Sequence, residues 1–178
     1  MINYKNIGYL KEGNKIQRRS YKILQDLEIM EYLKDYTPIL TGTIPIEIEI
    51  DGSDLDIVCN IRNFNEFEKK VSDRYGELDG YKVRKIEDSI VINFYCEKME
   101  IELYGNGKPS DMQNAYLHML VEAKLLETGG KSFRKEIIEL KKSGIKTEPA
   151  FCKVLKVEGD SYEKMLDEES MIDRKSVV

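Results

Sequence analysis

Hydrophobic residues recur along this chain with two periods, one typical of helices and one typical of strands. From Asn14 to about residue 35 they recur every three or four positions, which predicts a helix or a broken pair of helices. Asn14 and Gln17 have the spacing of a capping box at the start of this helix. Short apolar segments, most of them rich in β-branched residues, predict strands at 39–42, 55–61, 81–86, 89–96 and 98–104.

The remaining segments complete the predicted fold. Residues 44–51 alternate like a strand, although Pro45 argues against a central position in a sheet. Residues 145–159 give no clear prediction, and the chain is expected to fray from Met171. Helical patterns occupy 64–76, 111–127, 132–143 and 161–168. This order predicts an α+β fold, with a mixed sheet flanked by helices and a helical C-terminal third.

Length, charge and cysteine content narrow the possible functions. A chain of 178 residues predicts one domain, with a core at about 14–128 and a helical extension at about 130–170. The 33 acidic residues outnumber the 28 basic ones, so we do not expect tight nucleic-acid binding. No apolar run is long enough for a membrane span, and the first residues lack the apolar region of a signal peptide. Three widely spaced cysteines predict reduced thiols and a cytoplasmic location.

Acidic residues occupy alternate positions in two predicted strands. Asp54 and Asp56 stand two residues apart, as do Glu100 and Glu102, so each pair shares one face of its strand. If the two strands are neighbours, three or four carboxylates converge and repel one another unless a cation binds. Oxygen ligands of this kind favour Mg²⁺ or Mn²⁺.

Each acidic pair also has a purely structural interpretation, because strands with one solvated face commonly carry acidic residues. For Glu100 and Glu102 alone we favour that interpretation. For Asp54 and Asp56, which follow a Gly-Thr pair, we favour a functional one.

The order of these residues resembles the polymerase-β-type nucleotidyltransferase superfamily. In both, a glycine and a hydroxyl residue, here Gly42 and Thr43, precede two aspartates on an apolar strand and an acid on a later strand. The likeness covers about 37–104 and implies a nucleotidyltransferase-like fold, although the helix usual after the Gly-Ser pair is not obvious at 46–50. More closely, the chain resembles a small bacterial family of unassigned function, related in style to GrpB-like proteins. Four segments carry this second likeness: 42–46, 53–57, 113–119 and 144–151.

The resemblance implies transfer of a nucleoside monophosphate from an NTP to the hydroxyl of an unknown small-molecule or protein acceptor. Asp54, Asp56 and Glu100 are the expected catalytic acids, and we prefer Glu100 to Glu102 as the third. The expected Mg²⁺ or Mn²⁺ ligands are the same three acids together with Glu102. The expected nucleotide contacts are Gly42, Thr43, Ser53, His118 and Lys146.

Two of these contacts have structural alternatives. His118 shares a helix face with Glu122 and is either a substrate contact or a buried histidine with a hydrogen bond. Lys146 either reaches a phosphate or lies in a solvated loop. At the level of function, the alternative to an active enzyme is an inactive protein of the same fold that binds nucleotide or a protein partner.

Overall fold

A five-stranded mixed β-sheet forms the centre of the computed structural model, which describes residues 2–166. The strand order is β1-β2-β5-β4-β3, in which β2 and β5 run parallel and the other neighbours antiparallel. The strands are β1 (Ile39–Thr41), β2 (Leu55–Asn60), β3 (Lys82–Ile86), β4 (Ser89–Cys96) and β5 (Met99–Asn106).

Helices cover both faces of this sheet. On the first face lie α1 (Lys15–Asp26), α2 (Ile29–Tyr32) and α3 (Phe64–Tyr75), which share one hydrophobic cluster with Leu55 and Ile57 of β2. On the second face lie α4 (Asn114–Lys142), α5 (Thr147–Val154) and α6 (Ser161–Met165), which share another cluster with Val58. Because side chains alternate along a strand, Asp56 faces the same side as Val58. The carboxylate of Asp56 therefore points toward α4 and α5.

The structure confirms the α+β fold and all five predicted strands at 39–42, 55–61, 81–86, 89–96 and 98–104, with boundaries within two residues. The predicted capping box of Asn14 and Gln17 is also present. The segment 14–35 is a broken helix, because α1 ends at Asp26 and Glu28 adopts a left-handed conformation.

Three features differ from the sequence-based prediction. The strand predicted at 44–51 is wrong, because these residues form turns and irregular backbone. The two helices predicted at 111–127 and 132–143 are joined in α4, with a break at Gly130, whose φ is 67°. The segment 145–159 contains α5.

The tail from Met171, predicted to fray, lies outside the described residues. None of the helices within residues 2–166 is both long and apolar enough to cross a lipid bilayer.

Candidate functional site

A cleft of about 430 Å³ lies between the second face of the sheet and helices α4 and α5. Its sheet side includes the turn after β1 and the facing residues of β2 and β5. Four of the residues on that side were singled out from the sequence: Gly42, Thr43, Asp56 and Glu102.

The register of the sheet decides which glutamate stands beside Asp56. In the parallel pair of β2 and β5, the Cα partner of Asp56 is Glu102. Both oxygens of Glu100 accept hydrogen bonds, one from Asn93 at 2.9 Å and one from the Tyr95 hydroxyl at 2.9 Å. Glu102 accepts a bond from Asn93 at 3.1 Å and lines the cleft. The structure therefore places Glu102 at the cleft and holds Glu100 beside β4.

The clustered carboxylates disturb one another electrostatically. Burial, followed by the charges of Asp54, Glu102 and Glu100, raises the pKa of Asp56 to about 8. Burial is also the main cause that raises the pKa of Asp54 above its ordinary value. Folding thus holds negative charge together at a cost that a bound cation offsets.

The chemistry of this donor set fits a hard divalent cation such as Mg²⁺ or Mn²⁺, because every charged donor is a carboxylate oxygen. Asp56 and Glu102 are the pair that register brings together on the cleft side. With the side chains as they stand, no three His, Cys, Asp or Glu residues within 2–166 are grouped closely enough to hold a metal. Asp54 is the nearest further acid to Asp56 along the chain.

Gly42 lets the turn after β1 approach the Asp56 carboxylate. Its φ is 79°, a left-handed conformation that side chains rarely adopt. A Cβ at this position would clash with Asp56 Oδ2. The neighbouring Thr43 hydroxyl lies 3.4 Å from the Ser53 hydroxyl, which ties the two ends of the connection between β1 and β2 together.

We expect Gly42→Ala to impair the site far more than Gly52→Ala. Both glycines have positive φ, so both substitutions carry a backbone cost of about 1 kcal/mol. Only at Gly42 does the new methyl group also displace a carboxylate, because nothing lies within 4 Å of a Cβ at Gly52. Thermal unfolding of the two variants, with and without added Mg²⁺ and nucleotide, measures the difference. Equal losses in both variants would show that the contact with Asp56 does not matter.

Side chains from distant helices hold the connection between β1 and β2, which we call the 43–53 loop. Gln17 of α1 donates to the carbonyls of Ile44 at 2.9 Å and Pro45 at 3.2 Å. From the last half of α4, Arg134 donates to the carbonyls of residues 46 and 47, and Lys141 donates to that of residue 48 at 2.8 Å. The loop needs these donors because its carbonyls have no strand partner.

The helical side of the cleft is also polar. His118, predicted as a substrate contact or a buried histidine, is 5% exposed, and its Nδ1 lies 3.3 Å from Glu148 Oε1. It lines the cleft together with Glu122 of α4 and Thr147 at the start of α5. Lys146 precedes α5 as its N-cap residue, next to this lining.

The cleft thus brings together five of the predicted site residues, whereas four others stand beside it. Ser53 and Asp54 precede β2, Glu100 is held by β4, and Lys146 precedes α5. The five that line the cleft together are Gly42, Thr43, Asp56, Glu102 and His118.

Sequence reasoning assigned no role to Gln113 and Glu148, which also line the cleft. Both fall in segments that carry the family likeness. Their position in those segments was the sequence signal that could have identified them as site residues.

Comparison with solved structures shows a nucleotidyltransferase-like fold. The chain is similar to the Cid1 RNA terminal uridylyl transferase, with a TM-score of 0.59 and 10% identity over 89% of this chain and 52% of that one. It is similar to the GLD-2/RNP-8 complex, with a TM-score of 0.56 and 12% identity over 86% of this chain and 63% of that one. It is also similar to the polymerase core of TRAMP, an RNA surveillance complex, with a TM-score of 0.51, 13% identity and coverage of 89% and 50%. The chain spans about half to three fifths of the length of these structures.

Sequence comparison identifies the family. A search of curated proteins found no match. A family profile described as a domain of unknown function, DUF4269, matches residues 22–168, which is most of the chain. The chain therefore belongs to the DUF4269 family, and its fold resembles that of nucleotidyltransferases.

Proposed function

We propose that this protein is a Mg²⁺-dependent nucleotidyltransferase that moves a nucleoside monophosphate from an NTP to the hydroxyl group of an acceptor. The observation that carries the proposal is the pairing of Asp56 with Glu102 across β2 and β5, beside the turn at Gly42. The fold is similar to that of the Cid1 poly(U) polymerase, for which a MgGTP-bound structure is known. In this chain the acids face a cleft bounded by helices, as a transfer site requires.

Each residue of the sheet side has a proposed role. Asp56 and Glu102, with Asp54, would hold Mg²⁺, which when bound neutralises the triphosphate and the charge that develops during transfer. The backbone N–H groups of Gly42 and Thr43 and the hydroxyl of Thr43 bind phosphate oxygens at the turn. We prefer Glu102 to Glu100 as the third acid, because register places Glu102 opposite Asp56.

The chemistry demands positioning more than covalent participation. The acceptor hydroxyl oxygen forms a bond to the α-phosphorus, and the bond from that phosphorus to the pyrophosphate oxygen breaks. The hydroxyl proton passes to a carboxylate, for which Glu102 is suited because it lines the cleft. Pyrophosphate leaves with the electron pair of the broken bond.

One observation favours the second candidate, an inactive protein of this fold that binds nucleotide or a protein partner. Arg84 lies 3.6 Å from Glu102. An arginine can replace a metal as the partner of a carboxylate. This candidate predicts nucleotide binding without transfer, or no nucleotide binding at all.

The test is thermal unfolding with ATP, GTP, CTP and UTP, each with and without Mg²⁺, followed by an assay for pyrophosphate release. A ligand at 100 times its Kd stabilises by about 2.7 kcal/mol. For a chain of this size the Tm then rises by roughly 5–11 °C. A Mg²⁺-dependent rise with pyrophosphate release supports the transferase. A rise without release under any acceptor supports the inactive binder, and no rise with any nucleotide contradicts both nucleotide-binding proposals.

We expect Glu102→Gln to reduce the Mg²⁺-dependent response much more than Glu100→Gln. The two glutamates are matched, because they lie on the same face of β5 and both accept a bond from Asn93. Only Glu102 lines the cleft. Titration of Mg²⁺ at fixed nucleotide measures the loss in each variant, which we expect to be about tenfold or more in apparent affinity for Glu102→Gln. A larger loss in Glu100→Gln would return the role of third acid to Glu100.

A further inference from the structure

The helical side of the cleft holds buried polar atoms without a protein partner. Gln113 and His118 are 2% and 5% exposed, and both line the cleft. Within the part of the chain that the structure describes, Gln113 Oε1 and His118 Nε2 have no hydrogen-bond partner. An unpaired buried polar atom costs free energy, which a bound ligand recovers when it supplies the missing bond.

The contacts of Gln113 identify its unpaired atom as an acceptor. Gln113 Nε2 donates to the carbonyls of Cys59 at 2.9 Å and Lys108 at 3.1 Å. Carbonyl oxygens only accept, so the amide orientation is fixed and the free atom is the amide oxygen.

The contact between His118 and Glu148 likewise indicates that the unpaired atom of His118, Nε2, is an acceptor. Burial opposes ionisation of Glu148, but hydrogen bonds from His118 and from the backbone bring the pKa of that carboxyl below its ordinary value. Glu148 is therefore a carboxylate, and the Nδ1–H of His118 donates to it across 3.3 Å. With Nδ1–H directed at Glu148, Nε2 acts as an acceptor when the ring carries a single proton.

Two carboxyl groups complete this helical side of the cleft, which we call the helical wall. Glu122 is 3% exposed and follows His118 by one turn of α4, and Glu148 lies in the first turn of α5. Burial, and then the charge of Glu148, raises the pKa of Glu122 well above its ordinary value, and the charge of Lys141 opposes this rise. The buried cation Lys141 directs its Nζ to the carbonyl of Ile48. The helical wall therefore offers unpaired acceptors, the negative charge of Glu148 and a second carboxyl, Glu122, that a nearby cation would ionise. These groups match a positively charged group with several N–H donors.

We propose that Gln113, His118, Glu122 and Glu148 form a subsite for an ammonium group of the second substrate, so that the nucleotidyl acceptor is an amino alcohol. An ammonium group has three donors and one positive charge, which suits two neutral acceptors and two acids. The hydroxyl of the same molecule faces the sheet side of the cleft, where Asp56 and Glu102 lie. That this molecule is a nucleotidyl acceptor rests on the proposed function, whereas the ammonium subsite stands on the contacts of the helical wall.

The test uses 1,3-diamino-2-propanol and glycerol, which share a three-carbon skeleton and differ in the two amino groups. Binding is measured by ligand-observed NMR titration without nucleotide or metal. We expect the amine to bind at least about tenfold more tightly than glycerol, and Glu148→Gln to raise its Kd about tenfold, because charged hydrogen bonds are lost. Glu136→Gln is the matched control, since Glu136 is exposed on α4. We expect it to bind the amine like the wild type.

A second variant and a second measurement keep the result decisive. Glu122→Gln preserves side-chain shape, so it serves if Glu148→Gln unfolds. We expect it also to weaken amine binding, because glutamine cannot ionise beside the bound ammonium group. Equal binding of the two probes, or wild-type affinity in the glutamine variants, would overturn the ammonium subsite. Thermal unfolding with nucleotide and Mg²⁺ tests the transferase separately. Selective amine binding in a protein with no nucleotide response would reject the transferase and leave the subsite standing.

Discussion

Asp56→Asn is expected to lose the Mg²⁺-dependent nucleotide response, with transfer falling at least about a hundredfold, while the metal-free protein becomes more stable. The loss follows from the position of Asp56 opposite Glu102 and beside Gly42. The gain follows from its pKa of about 8, which burial and three nearby acids cause. Asparagine keeps the shape of the side chain and removes the charge.

The stability gain has a defined pH range. A carboxyl whose folded pKa lies above its unfolded value stabilises the fold while it is protonated in both states. The contribution is lost as pH rises from about 4, the unfolded pKa, through about 8, the folded one. Metal-free Asp56→Asn should therefore match the wild type near pH 4 and exceed it by about 2 kcal/mol or more at pH 8.

The measurement is Tm against pH in the absence of metal, alongside nucleotide titrations with Mg²⁺. The control is Asp51→Asn, because Asp51 is an exposed aspartate in the 43–53 loop. We expect the Tm of the control to follow that of the wild type at every pH. A constant difference in Tm between Asp56→Asn and the wild type across this pH range would show that Asp56 is not strained by its neighbours.

Gln17→Ala is expected to destabilise the protein by about 3 kcal/mol, a fall in Tm of roughly 6–12 °C. Gln17 is 2% exposed, and its amide donates to the carbonyls of Ile44 and Pro45. Its Oε1 also accepts from the backbone N–H of Asn14 at 3.0 Å, as part of the capping box. Alanine leaves these buried groups without partners, so the cost is the desolvation of each as well as the lost bonds.

Gln25→Ala supplies the matched control, because Gln25 lies on the same helix and is exposed. We expect that change to alter the Tm by no more than about 2 °C. Denaturant or thermal unfolding measures the stability of both variants. Nucleotide titration reports whether the 43–53 loop still supports the site. Similar destabilisation by the two substitutions would mean that Gln17 acts only through helix propensity.

Much of the fold was predictable because its elements obey simple periods. The strands that carry Asp56 and Glu102 are short, apolar and rich in β-branched residues, so their positions were evident. The strand predicted at 44–51 failed for a physical reason. Ile46 and Ile48 are buried against α4 and α5 while Glu47 is exposed, which reproduces the alternation of a strand without its hydrogen bonds.

The site was only partly predictable. A sequence shows which residues share one face of a strand, but it does not show how neighbouring strands are aligned. Glu100 and Glu102 share a face, and only the pairing of β2 with β5 distinguishes them. The roles suggested for Gln113 and Glu148 depend on contacts between segments far apart in sequence. Gln113 reaches the carbonyl of Cys59, and Glu148 reaches His118. No local pattern specifies such contacts.

The hydrogen bonds that Arg134 and Lys141 donate to the 43–53 loop determine when that loop can fold during synthesis. These two residues stand 88 and 93 residues after carbonyls that they bind. A chain emerging from the ribosome carries its aspartates long before the end of α4 exists. Until that helix is complete, three of the loop's carbonyl contacts are missing and the acids stand beside an unsupported turn. The cleft therefore takes its described form only after the end of α4 has been synthesised, so a nascent chain stalled before Lys141 lacks these supports.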